Sequence, residues 1–167
     1  MAKVGLIVVD VQKAFEEIGP LKEVLRMAQM FAICPALELF RQTKNPIFFV
    51  QHVGQLTPEG SPGFELSSAL NRQETEYQIV KRHPSSFFQT NLKEKLNNEG
   101  VEFVVICGLA AGYCVNATMQ GATENGFKAA ILQHGIVSSK ESHIQVTQET
   151  NPVISVEALK YFLNTGR

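Results

Sequence analysis

Residues 102–126 read EFVVICGLAAGYCVNATMQGATENG, and the architecture follows from this segment. EFVVIC at 102–107 is a short, nearly continuous apolar run of strand length. The glycine- and alanine-rich residues after it permit a tight turn and close backbone approach. Residues 114–125 then predict a helix, which Gly126 closes. A second strand candidate, KAAILQ, follows at 128–133. Strands that are apolar on both faces and joined through helices indicate a parallel sheet covered on both sides.

The same alternation recurs on either side. Strands are predicted at 4–9, at 46–51 led by a proline, more weakly at 77–81, and briefly at 152–155. Helical spacing is predicted over 22–43, 90–98, 139–150 and 156–164. Pro35 is expected to start a second helix within 22–43 or to kink the first. The Gly- and Pro-rich residues 53–66 are long for a connection in a small domain, and such loops often bind ligands. No repeat or linker interrupts the pattern, so residues 1–167 are expected to form a single domain.

Composition narrows the function. The 167 residues are 44% hydrophobic, enough for a core, and 15 basic residues against 16 acidic ones leave a formal charge of −1. No basic patch stands out, so nucleic acid is not expected as a partner. No apolar run approaches the ~20 residues that cross a bilayer, so no membrane association is expected. The first apolar run is short and lacks a cleavage pattern after it, so a cytoplasmic protein is expected. The three cysteines, Cys34, Cys107 and Cys114, are odd in number and contain no C-x-x-C pair. A disulfide framework or thiolate metal site does not follow from them.

In open parallel sheets, ligands bind beyond the carboxyl ends of the strands. Asp10, His52, Lys81 and Gly108 all stand at or just past a predicted strand end, and should converge on one edge. Cys114 falls at the predicted first turn of a helix. There, helix-terminal N–H groups favour a thiolate and a developing oxyanion. A buried, inert cysteine in a glycine-rich turn is the alternative. Asp10 either caps a helix, pairs with a cation or does acid–base work. Lys81 is either solvated or turned into the cleft, where it would lower the pKa of a carboxylate and a thiol beside it. His52 either faces a substrate or is structural. Gln12 is placed to shape the site, and Phe15, Phe64 and Tyr113 are candidate walls for a substrate or plain core.

Three segments in register carry a resemblance. Asp10-Val-Gln-Lys-Ala-Phe15 resembles the D-x-Q-x-x-F signature of the isochorismatase-like cysteine hydrolases. Lys81-Arg-His-Pro-Ser-Ser-Phe87 resembles their K-x-x-x-S-x-F segment, and Gly108 to Val115 their G-x-x-x-x-x-C-V segment. The resemblance implies a three-layer α/β/α sandwich around a six-stranded, mostly parallel, Rossmann-like sheet. It implies a catalytic triad of Asp10, Lys81 and Cys114, and a cis peptide before Ala110. The backbone N–H groups of Ala110 and Cys114 would then form an oxyanion hole. It also implies a homodimer or higher homo-oligomer, with Met27, Met30 and Phe31 as interface or core.

The reaction so implied is hydrolysis of a small-molecule C–N bond through a thioester, with no cofactor. Isochorismatase-type cleavage of a vinyl ether and non-catalytic binding of a small molecule are the alternatives. The family often carries Thr and an acid or amide where this chain has Ala111 and Gly112. Nicotinamidases of the family carry an Asp-x-His metal pair after the second strand. This chain reads Gln51-His52-Val53-Gly54 there, and its four histidines form no ligand spacing, so no metal is expected.

Overall fold

The first strand, β1 (Lys3–Val9), is buried along most of its length because it lies in the middle of a six-stranded sheet. A computed structural model describes residues 3–164. The other strands are β2 (Ile47–His52), β3 (Tyr77–Lys81), β4 (Val101–Leu109), β5 (Lys128–Val137) and β6 (Val153–Ile154). Their order is β3-β2-β1-β4-β5-β6, and every pairing is parallel.

Alternation along each strand builds two cores. Leu6, Val8, Phe49, Val105 and Cys107 face one way. They pack under α2 (Gly19–Ala28), α3 (Cys34–Gln42) and α7 (Val156–Asn164), through Leu25, Phe40 and Leu159. Ile7, Phe48, Val50, Val104 and Ile106 face the other way, against Leu92 and Leu96 of α4 (Leu92–Asn98) and Met119 and Ala122 of α5 (Asn116–Glu124). Two remaining helices, α1 (Lys13–Glu16) and α6 (Glu141–Glu149), lie just past the ends of β1 and β5. The expected three-layer α/β/α sandwich is the observed fold. Among the described residues, no helix is long and apolar enough to cross a membrane.

Several boundaries differ from the sequence reading for physical reasons. The helix expected over 22–43 begins at Gly19, with Pro20 in its first turn, and widens into a π-helical turn over Gln29–Ile33. Pro35 then sits in the first turn of α3, where its missing N–H is tolerated by the wider turn before it. Strand β5 runs on to Val137 instead of ending at 133. Its pairing with β4 jumps from Ile106↔Ile131 to Gly108↔Ile136, an irregularity that contains His134 at a φ of 60°. Residues on both sides of that irregularity are buried, an arrangement that local periodicity does not anticipate.

Met27, Met30 and Phe31 are exposed by 41, 49 and 60%, so they are surface and not core. Cys107 is the reverse. It is fully buried, its Sγ lies 3.7 Å from the Ile7 carbonyl, and burial pushes its thiol pKa far up.

Candidate active site

Strand order brings the polar strand ends together. Asp10 follows β1, His52 ends β2, Lys81 ends β3, and the turn holding Cys114 follows β4; these are four adjacent strands. The order reverses between β1 and β4, the place where parallel sheets open a crevice. Asp10 takes a φ of 53° at that point, while its N–H donates to the Val50 carbonyl at 2.9 Å. A left-handed aspartate is uncommon and is held here by the surrounding pairing.

Lys81 is the hub. It is 1% exposed, far from the solvated lysine of the ordinary case. Its Nζ lies 2.9 Å from Asp10 Oδ2 and 3.2 Å from Cys114 Sγ. The same nitrogen is 3.1 Å from the His83 carbonyl and 3.2 Å from His52 Nδ1. Carboxylate, ammonium and thiol therefore meet around one atom, although they are distant in sequence.

The electrostatics correct one expectation. Burial raises the Asp10 carboxyl to about 6; the Lys81 charge and hydrogen bond pull it down, and Cys114 adds a smaller downward hydrogen-bonding effect. Asp10 Oδ1 itself is buried without a hydrogen-bond partner among the described residues. Burial likewise raises Cys114 to about 11, the Asp10 charge adds to the rise, and Lys81 opposes it. Lys81 acts downward on both neighbours as expected, but loss of hydration outweighs it. At neutral pH the resting site thus holds an ionised carboxylate beside a protonated thiol.

The turn that carries Cys114 is a π-helical turn over Ala111–Val115, not the first turn of an α-helix. Gly108 makes it possible. At a φ of 109°, a Cβ here would stand 2.0 Å from the Val9 carbonyl oxygen, so only glycine allows β4 to pass β1 this closely. The Leu109–Ala110 peptide is cis. The N–H groups of Tyr113 and Val115 both donate to the Ala110 carbonyl, at 3.0 and 3.1 Å.

A face of α6 seats this turn from outside, and nothing in the local sequence pointed to it. Thr147 Oγ1 donates to the Ala111 carbonyl at 3.1 Å. One helical turn earlier, the His143 ring covers Gly112, where a Cβ would stand 3.2 Å from the ring, and meets the Tyr113 ring edge-on. The missing side chain at Gly112 therefore makes room for the His143 ring of α6.

The remaining candidates divide. Gln12 is fully buried. It shapes the site by clamping backbone: Nε2 donates to the His52 and Phe64 carbonyls at 3.1 and 2.9 Å, and Oε1 accepts from the His52 N–H at 2.9 Å. Phe15 is partly buried and packs against the core that lies under α2 and α3. Phe64 is half-buried, with its carbonyl held by Gln12 and by Gln51. Tyr113, within the turn that carries Cys114, is 62% exposed. Among the described residues, no group of three His, Cys, Asp or Glu side chains is arranged to hold a metal ion.

Fold and site define a three-layer α/β/α domain whose functional edge lies beyond the strand ends of a parallel sheet. The chain belongs to the isochorismatase family: the family model described as "Isochorismatase domain" matches residues 4–158. It is 35% identical over 136 residues to the uncharacterized isochorismatase family protein YddQ of Bacillus subtilis, covering 77% of this chain and 74% of that one. A maleamate amidohydrolase of Pseudomonas putida is 31% identical over 75 residues, which is 45% of this chain and 35% of that protein. The crystal structure of a cysteine hydrolase from Pseudomonas syringae pv. phaseolicola superposes with a TM-score of 0.88 over 99% of this chain and 94% of that one. At 18% identity, that likeness speaks for the fold alone.

Proposed function

We propose that this isochorismatase-family hydrolase cleaves the C–N bond of a small amide, with Cys114 as nucleophile, Asp10 as base and Lys81 joining them. The observation that carries this reading is the single ammonium within 2.9 Å of the Asp10 carboxylate and 3.2 Å of the Cys114 sulfur. Support also comes from the partial match to an amidohydrolase.

The steps follow from the charges. Asp10 takes the thiol proton, and the sulfur attacks the amide carbon. Lys81 steadies the negative charge as it moves from carboxylate to sulfur. The N–H groups of Ala110 and Cys114 hold the oxyanion. Asp10 returns its proton to the nitrogen as the C–N bond breaks, leaving a thioester and a free amine. Water, deprotonated by Asp10, then attacks the thioester and releases the acid and the thiol. An Asp10 pKa of about 6 suits a group that must take and give a proton near neutrality. No step calls on a metal. Phe64 and Tyr113 would flank the substrate.

The same raised Asp10 favours one second reading. A carboxyl partly protonated near pH 6 is also a fitting acid for a vinyl ether, as in isochorismatase-type cleavage, which has no obligatory use for the thiol. The test is a panel of small amides and isochorismate, assayed with wild type and Cys114→Ala. Amide turnover that disappears in the variant supports the proposal. Isochorismate turnover that survives it supports the second reading, and amide turnover that survives it refutes the cysteine mechanism.

A further inference from the structure

The Lys81 ammonium carries three protons and faces four partners: Asp10 Oδ2, Cys114 Sγ, the His83 carbonyl and His52 Nδ1. An ammonium has no lone pair, so toward His52 it donates and the imidazole Nδ1 accepts. A neutral imidazole that accepts at Nδ1 carries its own proton at Nε2. Burial, followed by the Lys81 and His83 charges, favours that neutral form.

The strand end that carries the ring is also fixed in place. Gln12 holds both the N–H and the carbonyl of His52. Gly54 lies against the far edge of the ring, where a Cβ would stand 3.0 Å from Cδ2 and 3.1 Å from Nε2. Among the described residues, Nε2 has no hydrogen-bond partner, and unlike His143 Nδ1 it is not sealed from solvent. The site therefore contains a neutral donor of fixed tautomer that shares one ammonium with the cysteine and has no protein acceptor.

We infer that His52 is a specificity-determining residue whose Nε2–H binds a second acceptor on the substrate, and that Lys81 sets the tautomer that makes this possible. The substrate class is a small, uncharged amide bearing a carbonyl oxygen, ether oxygen or ring nitrogen besides the scissile group. Its lack of charge follows from the site: the buried carboxylate and ammonium neutralise each other, and the donor left over is neutral. This inference rests on the reading of Cys114 as nucleophile.

Two measurements test it. The first is ring-nitrogen NMR of 15N-labelled protein at neutral pH. A pyrrole-type Nε2 and a pyridine-type Nδ1 at His52 are expected; the reverse tautomer, or an imidazolium, overturns the inference. The second is protection of Cys114 from iodoacetamide by benzaldehyde and by the three pyridinecarbaldehydes. These aldehydes add the thiol across their carbonyl and differ in one ring acceptor. At least one pyridine isomer should protect wild type at a concentration lower by about fivefold, the worth of one hydrogen bond of ~1 kcal/mol. That preference should collapse in both His52→Leu and His52→Phe. An equal preference in wild type and either variant, or no preference in wild type, overturns the inference. If instead Cys114 resists iodoacetamide at every pH while NMR returns the expected tautomer, the nucleophile reading fails and takes the substrate role of His52 with it.

Discussion

The side-chain amide of Gln12 satisfies both backbone groups of His52, accepting from its N–H at 2.9 Å and donating to its carbonyl at 3.1 Å. A second bond from the same nitrogen reaches the Phe64 carbonyl at 2.9 Å. One buried side chain thus fixes the end of β2 against the loop that crosses it. Gln12→Ala leaves the N–H and carbonyl of His52 without this partner, each at a cost of about 1–3 kcal/mol, while the Phe64 carbonyl keeps its bond from Gln51. Urea denaturation should show a loss of about 2–4 kcal/mol. A loss below ~0.5 kcal/mol would mean that water replaces the clamp.

Among the described glycines, Gly108 makes the closest approach, with its missing Cβ 2.0 Å from the Val9 carbonyl oxygen. Gly108→Ala should lose more than ~4 kcal/mol, or fail to fold, because backbone rather than a flexible side chain must move. Gly126→Ala is the control. Its φ of 88° is also left-handed, but nothing lies within 4 Å of an added Cβ, so about 1 kcal/mol is expected. Thermal melts of the two variants side by side distinguish clash from backbone strain.

Asp10 links stability to pH in an uncommon direction. Its native pKa of about 6 lies above the ordinary 3.8, so between those values the folded state binds the proton more tightly than the unfolded state. Ionising it therefore destabilises the fold, fully above about pH 6, and the penalty is relieved as pH falls toward 3.8. The span corresponds to about 3 kcal/mol. The stability of Asp10→Asn relative to wild type should rise by roughly that amount from about pH 4 to about pH 7, measured by denaturant titration at each pH. A constant difference would show that Asp10 titrates normally.

Turnover should follow the same carboxyl. Below about pH 6 Asp10 is protonated and cannot accept the thiol proton, so kcat/KM for an amide should rise through about 6 to a plateau. Alkylation of the free enzyme should behave differently. With the Cys114 thiol near 11, its rate should go on climbing tenfold per unit through pH 9 instead of levelling there. A plateau in alkylation below pH 8 would identify a thiolate at rest and remove the need for Asp10 as base.

Lys81→Met tests the hub. It leaves Asp10 buried without its cation, a change that costs about 3–5 kcal/mol where buried pairs are broken. Losing the ammonium also raises both neighbouring pKa values, so alkylation of Cys114 at a fixed pH of about 8 should slow by at least tenfold in protein that remains folded. Unchanged alkylation would mean that Lys81 has no hold on the sulfur.

Much of this protein was legible along the chain. The run at 102–107, the turn to Cys114 and the strand candidates at 4–9 and 77–81 marked the sheet, because apolar periodicity and glycine placement are local properties. Asp10 and Lys81 also stood out locally, as polar groups at strand ends, and Cys114 as a thiol in a glycine-rich turn, but only the family resemblance joined them. What local pattern could not supply was the strand order that sets β1 between β2 and β4, and with it the burial of Lys81. Those come from long-range pairing, which alone decides whether a lysine at a strand end meets water or a carboxylate. The same holds for Gln12 as a backbone clamp, for α6 seated on the turn that carries Cys114, and for a thiol pKa pushed up rather than down. Hydration and contact at a site depend on what the rest of the chain places around it, and only the folded packing determines that.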